Sequence, residues 1–495
     1  MDQKNKRLSL GSKRGFDPYS AVQFVLFFTL LILLWFRWRV GITRFFDVDE
    51  LTYLHWTAQI AGGLRPYIDF FLFIPHGFFV FMSPLFWFFR DPSVLIAARI
   101  IAYGIFLGIL ATSSILFGIL RSWRWAILPA VLVSFLPMPY DKFLEFRPDN
   151  LSTLFAFAAL TLEVYALKRS RAWGFVGFLF ALSLLVFPKS LPFVLIGMFV
   201  GLGAGRKQLM LGFFLPFAFF GIYALFLANP SLVWYSLTKL PFEANRLATN
   251  YIMESHLFFF PNSAFYGGQG ITMGLILNHA IWVIGILVGM YRLLTPFLVG
   301  GKRGFSSELL VAGTFLLLVA GYVSFFPLKH TQYLIPIALF IAFYAADGVS
   351  ILIDTMLARF PKAAVFAVGV CGIVLISATA QVSAIKLSYS SRGQVESLAK
   401  LQSTIPQDVN ILDLEGLAFF WPQSYYACCV SFGEFSGYLS RPLPSLVDVL
   451  ERRSVEYIWQ GDSNRLSKLT PADLEYINAH YIPVSGWGVK LWQRR

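Results

Sequence analysis

Residues 45–77 read FFDVDELTYLHWTAQIAGGLRPYIDFFLFIPHG. They follow an apolar run, Ala21–Phe36, which is itself preceded by a polar segment carrying Lys4, Lys6, Arg7, Lys13 and Arg14. Three acids, Asp47, Asp49 and Glu50, therefore sit directly after a stretch of membrane-helix character, where charge is costly unless it is solvated or used. Asp47 and Glu50 have the spacing of a capping box, N-cap and N3, with Tyr53, Trp56 and Ile60 continuing one helical face. That structural role accounts for Asp47 and Glu50 and leaves Asp49 without one.

Working outward, the 495-residue chain is 57% hydrophobic and only 14% charged, with a mean hydropathy of +0.65. Soluble domains carry about 25% charged residues, so a water-soluble fold is excluded. A net charge of +13 would suggest nucleic acid for a soluble chain. Here it fits basic loops held on one side of a membrane, so the expected partner is the lipid bilayer and no nucleic acid. Three cysteines without a CxxC or Cys/His cluster provide neither a disulfide framework nor a zinc site. The adjacent pair Cys428 and Cys429 is read as two small buried residues in preference to a vicinal disulfide.

Runs apolar enough to cross about 30 Å of hydrocarbon fall at 21–36, 94–119, 125–138, 151–167, 173–187, 190–204, 209–228, 271–291, 309–327, 331–353 and 363–385. Residues 73–89 are also apolar but contain Pro75, His76, Gly77 and Pro84. If that segment stays in the interface, every compact basic cluster falls on the side of the N-terminus: 121–125, 168–171, 205–207, 292–308 and 354–362. The expectation is an all-α polytopic membrane protein of about eleven transmembrane helices, with a cytoplasmic N-terminus in a cell inner membrane. Arg37 and Arg39 run against the positive-inside rule at the far end of the first helix. The membrane module covers 1–386, with a first outer loop at 41–93 and a large outer loop at 229–270. From about 387 to 495 charge density becomes ordinary. Strand-like runs Val409–Leu412 and Tyr457–Gln460 and helical runs Ser445–Arg452 and Ala472–Asn478 then point to a small extracytoplasmic α/β domain.

Four polar constellations share the outer side in this topology: 45–77, then PYDKFLEFRPDN at 139–150, FPKS at 187–190 and FPLKHTQY at 326–333. Asp149 or Asn150 can cap the helix beginning near Leu151, and a single Lys or Arg at a boundary can simply reach lipid phosphate. Together, cations and carboxylates suit transfer from a phosphate-linked donor. Arg147, Lys189 and Lys329, with His330 as a lesser candidate, would hold the phosphate by charge-assisted hydrogen bonds. A carboxylate would deprotonate an acceptor hydroxyl. Tyr53, Trp56, Tyr67 and Tyr140 could stack on a sugar, although interfacial aromatics usually form a membrane belt.

The stretch Asp49-Glu50, Tyr53, Ala58, Gly63, Pro66-Tyr67, Asp69-Phe70-Phe71 and Pro75 resembles the first loop of the GT-C fold glycosyltransferases that use polyprenyl-phosphate sugars. Protein O-mannosyltransferases, the aminoarabinose transferase of lipid A and lipopolysaccharide-core transferases belong there. Arg147-Pro148-Asp149 resembles that family's Arg/Asp loop, Lys189 its lysine after the fifth helix, and Lys329, His330, Tyr333 and Pro336 its approach to a late helix. The resemblance covers about residues 20–350. It implies Asp49 as general base and Asp149 as a second acid, with Glu50 a further catalytic candidate. Asp47, Tyr53, Tyr67, Asp69, His76 and Tyr333 join Arg147, Lys189, Lys329 and His330 as substrate-binding candidates. One departure is that the aminoarabinose-transferase type carries Glu-Lys where Phe73-Ile74 stand here, so another cation must meet the phosphate. The expected function is inverting transfer from a polyprenyl-phosphate sugar donor to a glycolipid, oligosaccharide or protein acceptor, with 229–270 as a lid. The residues point to no certain cofactor, and a divalent cation held through oxygen by Asp47, Asp49 and Asp149 is left open. A transporter or flippase of a lipid-linked saccharide is the alternative.

Overall fold

The computed structural model describes residues 17–169, 171–203, 207–243, 272–299, 302–324, 331–427, 429, 439–461 and 465–495. Helices dominate the first part: α1 (Pro18–Thr43), α2 (Val48–Ala61), α3 (Gly77–Met82), α4 (Leu85–Phe88), α5 (Ser93–Leu120), α6 (Ile127–Phe135), α7 (Pro148–Arg169) and α8 (Trp173–Val186). They continue as α9 (Leu191–Gly203), α10 (Lys207–Ile222), α11 (Pro230–Trp234), α12 (Met273–Val299), α13 (Lys302–Ser324), α14 (Ile335–Arg359) and α15 (Pro361–Leu387). The apolar runs predicted to span the membrane fall largely in helices where they are described, and among the described residues eight helices are long and apolar enough to cross one. Residues 73–89 instead break into α3 and α4, of six and four residues, each far too short to cross about 30 Å. Phe24, Phe199, Leu211, Phe219 and Phe366 are exposed around the bundle, as an integral membrane protein facing lipid requires.

The polar connections sort to two ends. At one, Arg121 is bonded to Glu308 and Asp347, Arg292 grips Asp347 through two bonds of 2.7 and 2.9 Å, and Lys168 donates to Ile119 O. Arg124 lies over the Tyr19 ring. Arg121, Arg124, Lys168 and Arg292 of the predicted basic loops thus gather at the end where α1 starts. At the other end lie the end of α1, all of α2, residues 141–149, 187–190 and 331–334.

Arg37, which ran against the charge rule, does not face lipid. It is fully buried, donates to Val133 O, Ser134 O and Leu136 O at 2.9–3.0 Å and also to Tyr140 O, and stacks 3.7 Å from the Tyr140 ring. The carbonyls of Val133, Ser134 and Leu136 are orphans left at the C-terminus of α6, where a cation also meets the negative end of the helix dipole. Elsewhere glycine permits contact that no side chain would. A Cβ on Gly177 would stand 2.0 Å from Leu209 O, and one on Gly212 would stand 1.7 Å from Gly174 O, so α8 and α10 touch backbone to backbone.

Beyond α15 come α16 (Arg392–Thr404), α17 (Leu446–Arg452) and α18 (Pro471–His480). A four-stranded sheet orders Ile411–Asp413 (β1), Tyr457–Trp459 (β2), Leu491–Arg494 (β4) and Tyr481–Pro483 (β3), with only β1 and β2 parallel. The predicted α/β region is therefore present, with two extra strands and α16 that the sequence reading did not identify. Cys429 is disulfide-bonded, which corrects the reading of the cysteine pair as unlinked. Cys428 lies outside the described residues. This region is docked on α2: a Cβ on Gly416, at φ +103°, would meet the Leu51 carbonyl carbon at 2.8 Å.

Candidate active site

α2 begins as its sequence dictates. The Asp47 carboxylate accepts from Asp49 N at 3.0 Å, and the Glu50 carboxylate accepts from Asp47 N at 3.2 Å, closing the capping box. Glu50 then turns inward and is fully buried. Its two oxygens are taken by Arg99 Nη2 at 2.6 Å and Phe146 N at 2.7 Å. Burial, only partly opposed by Arg99, pushes its carboxyl above the usual range. Asp47 is held by Lys142 at 3.2 Å. Asp49 differs from both: its side chain is 52% exposed, and one oxygen accepts from Arg147 Nη2 at 2.9 Å.

The segment before α7 supplies the other half. Pro148 begins the helix at a position that needs no N–H, Asp149 lies in its first turn, and the Asn150 amide donates to the carbonyls of Lys142, Phe143 and Glu145. This folds 142–147 into a knot that aims Arg147 at α2. Arg147 is almost fully buried and meets three carboxylates: Asp49, Glu145 at 3.0 Å and Asp149 at 3.6 Å. Its guanidinium lies 5.6 Å from the Tyr53 ring centre. Burial, against the opposing charge of Arg147, pushes the Tyr53 phenol well above its ordinary value. Lys189 reaches Asp149 at 3.4 Å and sits 3.3 Å from the Tyr333 ring centre. Burial, partly opposed by Asp149, pushes the Lys189 ammonium down to about 8. Asp149, Lys189 and Tyr333 line one cavity with Ser152, Gln332 and Pro336.

Asp49, Asp149, Arg147, Lys189, Tyr53 and Tyr333 are thus brought together, although they come from four separate stretches of chain. Tyr67, Asp69 and His76 are engaged elsewhere. Tyr67 is buried, with its hydroxyl donating to Ile74 O. Asp69 pairs with Arg65. His76 is wedged among Tyr67, Phe220 and Tyr223, and burial lowers its pKa to about 4. Lys329 and His330, and most of the lid predicted at 229–270, fall outside the described residues.

Four groups that sequence reasoning did not single out brace the site. Arg44 binds Asp141 at 3.2 Å and Glu145 at 2.6 Å. Lys386 binds Asp141 at 3.0 Å. Lys142 binds Glu145, and Arg99 donates to Gly41 O and Phe45 O besides Glu50. Burial would raise the Glu145 carboxyl, but Lys142 and Arg147 outweigh it and hold it below its ordinary value. Arg99 had one readable signal, a charge inside an apolar helix. The cluster holds six acids (Asp47, Asp49, Glu50, Asp141, Glu145, Asp149) and six cations (Arg44, Arg99, Lys142, Arg147, Lys189, Lys386). Asp49 and Asp149 share the Arg147 guanidinium, and Asp47 holds the Lys142 ammonium. Among the described residues, the ligating group that converges is His55, Asp413 and Cys429, and its thiol is in a disulfide.

No protein-family model and no curated protein matches the chain. Solved structures do. The chain is similar to ArnT from Cupriavidus metallidurans in the apo state, with a TM-score of 0.61 at 11% identity, covering 96% of this chain and 98% of ArnT. With ArnT bound to undecaprenyl phosphate the TM-score is 0.59 at 11% identity, over 95% and 97% of the two chains. It is also similar to the oligosaccharyltransferase AglB from Archaeoglobus fulgidus in complex with an inhibitory peptide and a dolichol-phosphate. There the TM-score is 0.55 at 14% identity, over 93% of this chain and 72% of AglB. Helical bundle, ion-paired end and trailing sheet together make this chain a polytopic membrane protein of the GT-C fold.

Proposed function

We propose that the protein is an inverting glycosyltransferase that moves a sugar from a polyprenyl-phosphate donor to a hydroxyl of a glycolipid, oligosaccharide or protein acceptor. The observation that carries this is Asp49, the half-exposed carboxylate of the first loop, sharing Arg147 with Asp149 beside Lys189. The ligands of the similar structures, undecaprenyl phosphate in ArnT and a dolichol-phosphate in AglB, support the donor class. In this reading membrane and orientation follow the charge pattern: a cell inner membrane, basic loops cytoplasmic, site and C-terminal domain extracytoplasmic.

The chemistry balances on this chain's own residues. Asp49 takes the proton of the acceptor hydroxyl, whose oxygen forms the new bond to the anomeric carbon as the bond to the phosphate oxygen breaks. The electron pair leaves with the polyprenyl phosphate. Protonation of Asp49 removes one of Arg147's three carboxylate partners at the moment the leaving phosphate gains charge. A guanidinium held in place by Glu145 and Asp149 is then free to meet it, with Lys189 beside it. Such preorganised charge needs no reorganisation during the step. Glu50 and Asp47 support the reading by being unavailable as bases, one sealed by Arg99 and Phe146 N, the other spent on the cap and Lys142.

The test is incubation of purified protein with a polyprenyl-phosphate sugar and acceptor extracts. Release of free polyprenyl phosphate together with an acceptor heavier by one sugar is expected. A donor moved across a vesicle membrane intact would make the protein a transporter.

A further inference from the structure

A second cleft, of about 830 Å³, opens at the same end of the molecule and takes no part in the chemistry above. It lies between the end of α2, the α4 turn and the C-terminal domain, and its lining includes Gln59, Trp87, Arg90, Asn410, Phe420 and Arg453. Its size is that of a small-molecule site, but pockets for apolar ligands are lined mainly by hydrophobic side chains. Here rings alternate with primary amides and guanidinium groups. An amide offers donor and acceptor together, matching adjacent hydroxyls, while a ring face suits the apolar face of a sugar.

Charge narrows the ligand. The lining acid, Asp69, is already paired with Arg65. Among the described residues neither Arg90 nor Arg453 has a carboxylate partner, and the Arg453 guanidinium donates to the Gln423 carbonyl at 2.9 Å. Two guanidinium groups are thus left to face an anion, in the planar geometry that suits carboxylate or phosphate. The cleft is also pre-formed. Asp413 accepts from Glu415 N, Gly416 N and Ala418 N at 2.7–3.0 Å, and His55 is pinned by Asp413 at 3.3 Å, Gln423 at 2.8 Å and Gln59 at 3.2 Å. A rigid site loses little affinity to ordering.

We propose that this cleft binds an anionic saccharide, the part of the acceptor that carries carboxylate or phosphate groups. Gln59 lies ten residues after Asp49 on α2, about 15 Å along the helix, so an extended acceptor seated here presents its reacting hydroxyl at the other end of that helix. The role as acceptor site rests on the glycosyltransferase reading; the binding itself does not.

The experiment is titration of the full chain in phosphatidylcholine nanodiscs with trigalacturonate and with maltotriose, followed by tryptophan fluorescence, in wild type and in Asp49→Asn. Trigalacturonate should bind at least ten-fold more tightly than maltotriose in both backgrounds. Arg90→Gln with Arg453→Gln should remove that preference, Arg90→Gln alone should reduce it, and Trp87→Ala should weaken both sugars. Equal affinity for the two sugars, no binding of either, or an unaltered preference in the double variant would overturn the proposal. So would loss of trigalacturonate binding in phosphatidylglycerol nanodiscs, which would make lipid headgroups the occupant. Trigalacturonate binding with no transfer activity in any assay would leave the cleft assigned and remove the glycosyltransferase reading.

Discussion

Replacing Arg147 separates its two roles. The side chain is 2% exposed and contacts Asp49 at 2.9 Å, Glu145 at 3.0 Å and Asp149 at 3.6 Å. Glu145 and Asp149 are themselves buried, so Arg147→Gln strands two carboxylates, of which Glu145 keeps Arg44 and Lys142 and Asp149 keeps Lys189. Removing one partner from a buried ion pair costs about 3–5 kcal/mol. With alternative cations present the lower bound applies, about 3 kcal/mol, or roughly two powers of ten in the folded-to-unfolded ratio. Arg147→Lys keeps the charge but cannot fork to three acids, so the fold should hold while the leaving phosphate loses a donor. Loss of one such donor costs about 10²–10³ in kcat. Unfolding half-life at fixed temperature in detergent reports the first effect, and release of polyprenyl phosphate reports the second. An Arg147→Lys enzyme within about three-fold of wild type, or an Arg147→Gln protein that unfolds at the normal rate, would refute the reasoning.

Three further outcomes follow from the same geometry. Burial pushes the Lys189 ammonium down to about 8, so kcat/KM for the donor should fall as pH rises through about 8; Lys189→Arg should lack that alkaline limb in a pH–rate profile. Glu50→Gln leaves the buried Arg99 charge without a carboxylate, among neutral acceptors such as Gly41 O and Phe45 O, and should cost about 3 kcal/mol, against about 1 kcal/mol for losing the cap in Asp47→Ala, compared by thermal unfolding. Gly212→Val must displace the Gly174 carbonyl, and fluorescence-detected size exclusion should show loss of the monodisperse protein.

The helices and the first loop were legible because their signals are local: apolar length, a capping box over 47–50, an acid the box does not use. Arg147, Asp149 and Lys189 could be read as polar residues flanking apolar runs on a common side. What joins them could not. Arg44 meets Glu145 about a hundred positions away, and Lys386 meets Asp141 from the far end of the membrane module; pairings at such separations leave no periodic trace. Arg37 read as a breach of the charge rule because its partners, the last carbonyls of α6, are backbone groups that sequence does not display. The strands Tyr481–Pro483 and Leu491–Arg494 are three and four residues long, too short for alternation to declare them. His76 looked like a site residue by its neighbours in sequence, whereas proline and glycine around it turn the ring into an aromatic cluster.

The central claim is that Asp49 takes the acceptor's proton. Asp49→Asn keeps the side chain's shape at an exposed position, so folding and donor binding should persist while single-turnover transfer falls by about 10²–10⁴. Transfer within about ten-fold of wild type in that variant, measured as polyprenyl phosphate released per enzyme, would contradict it.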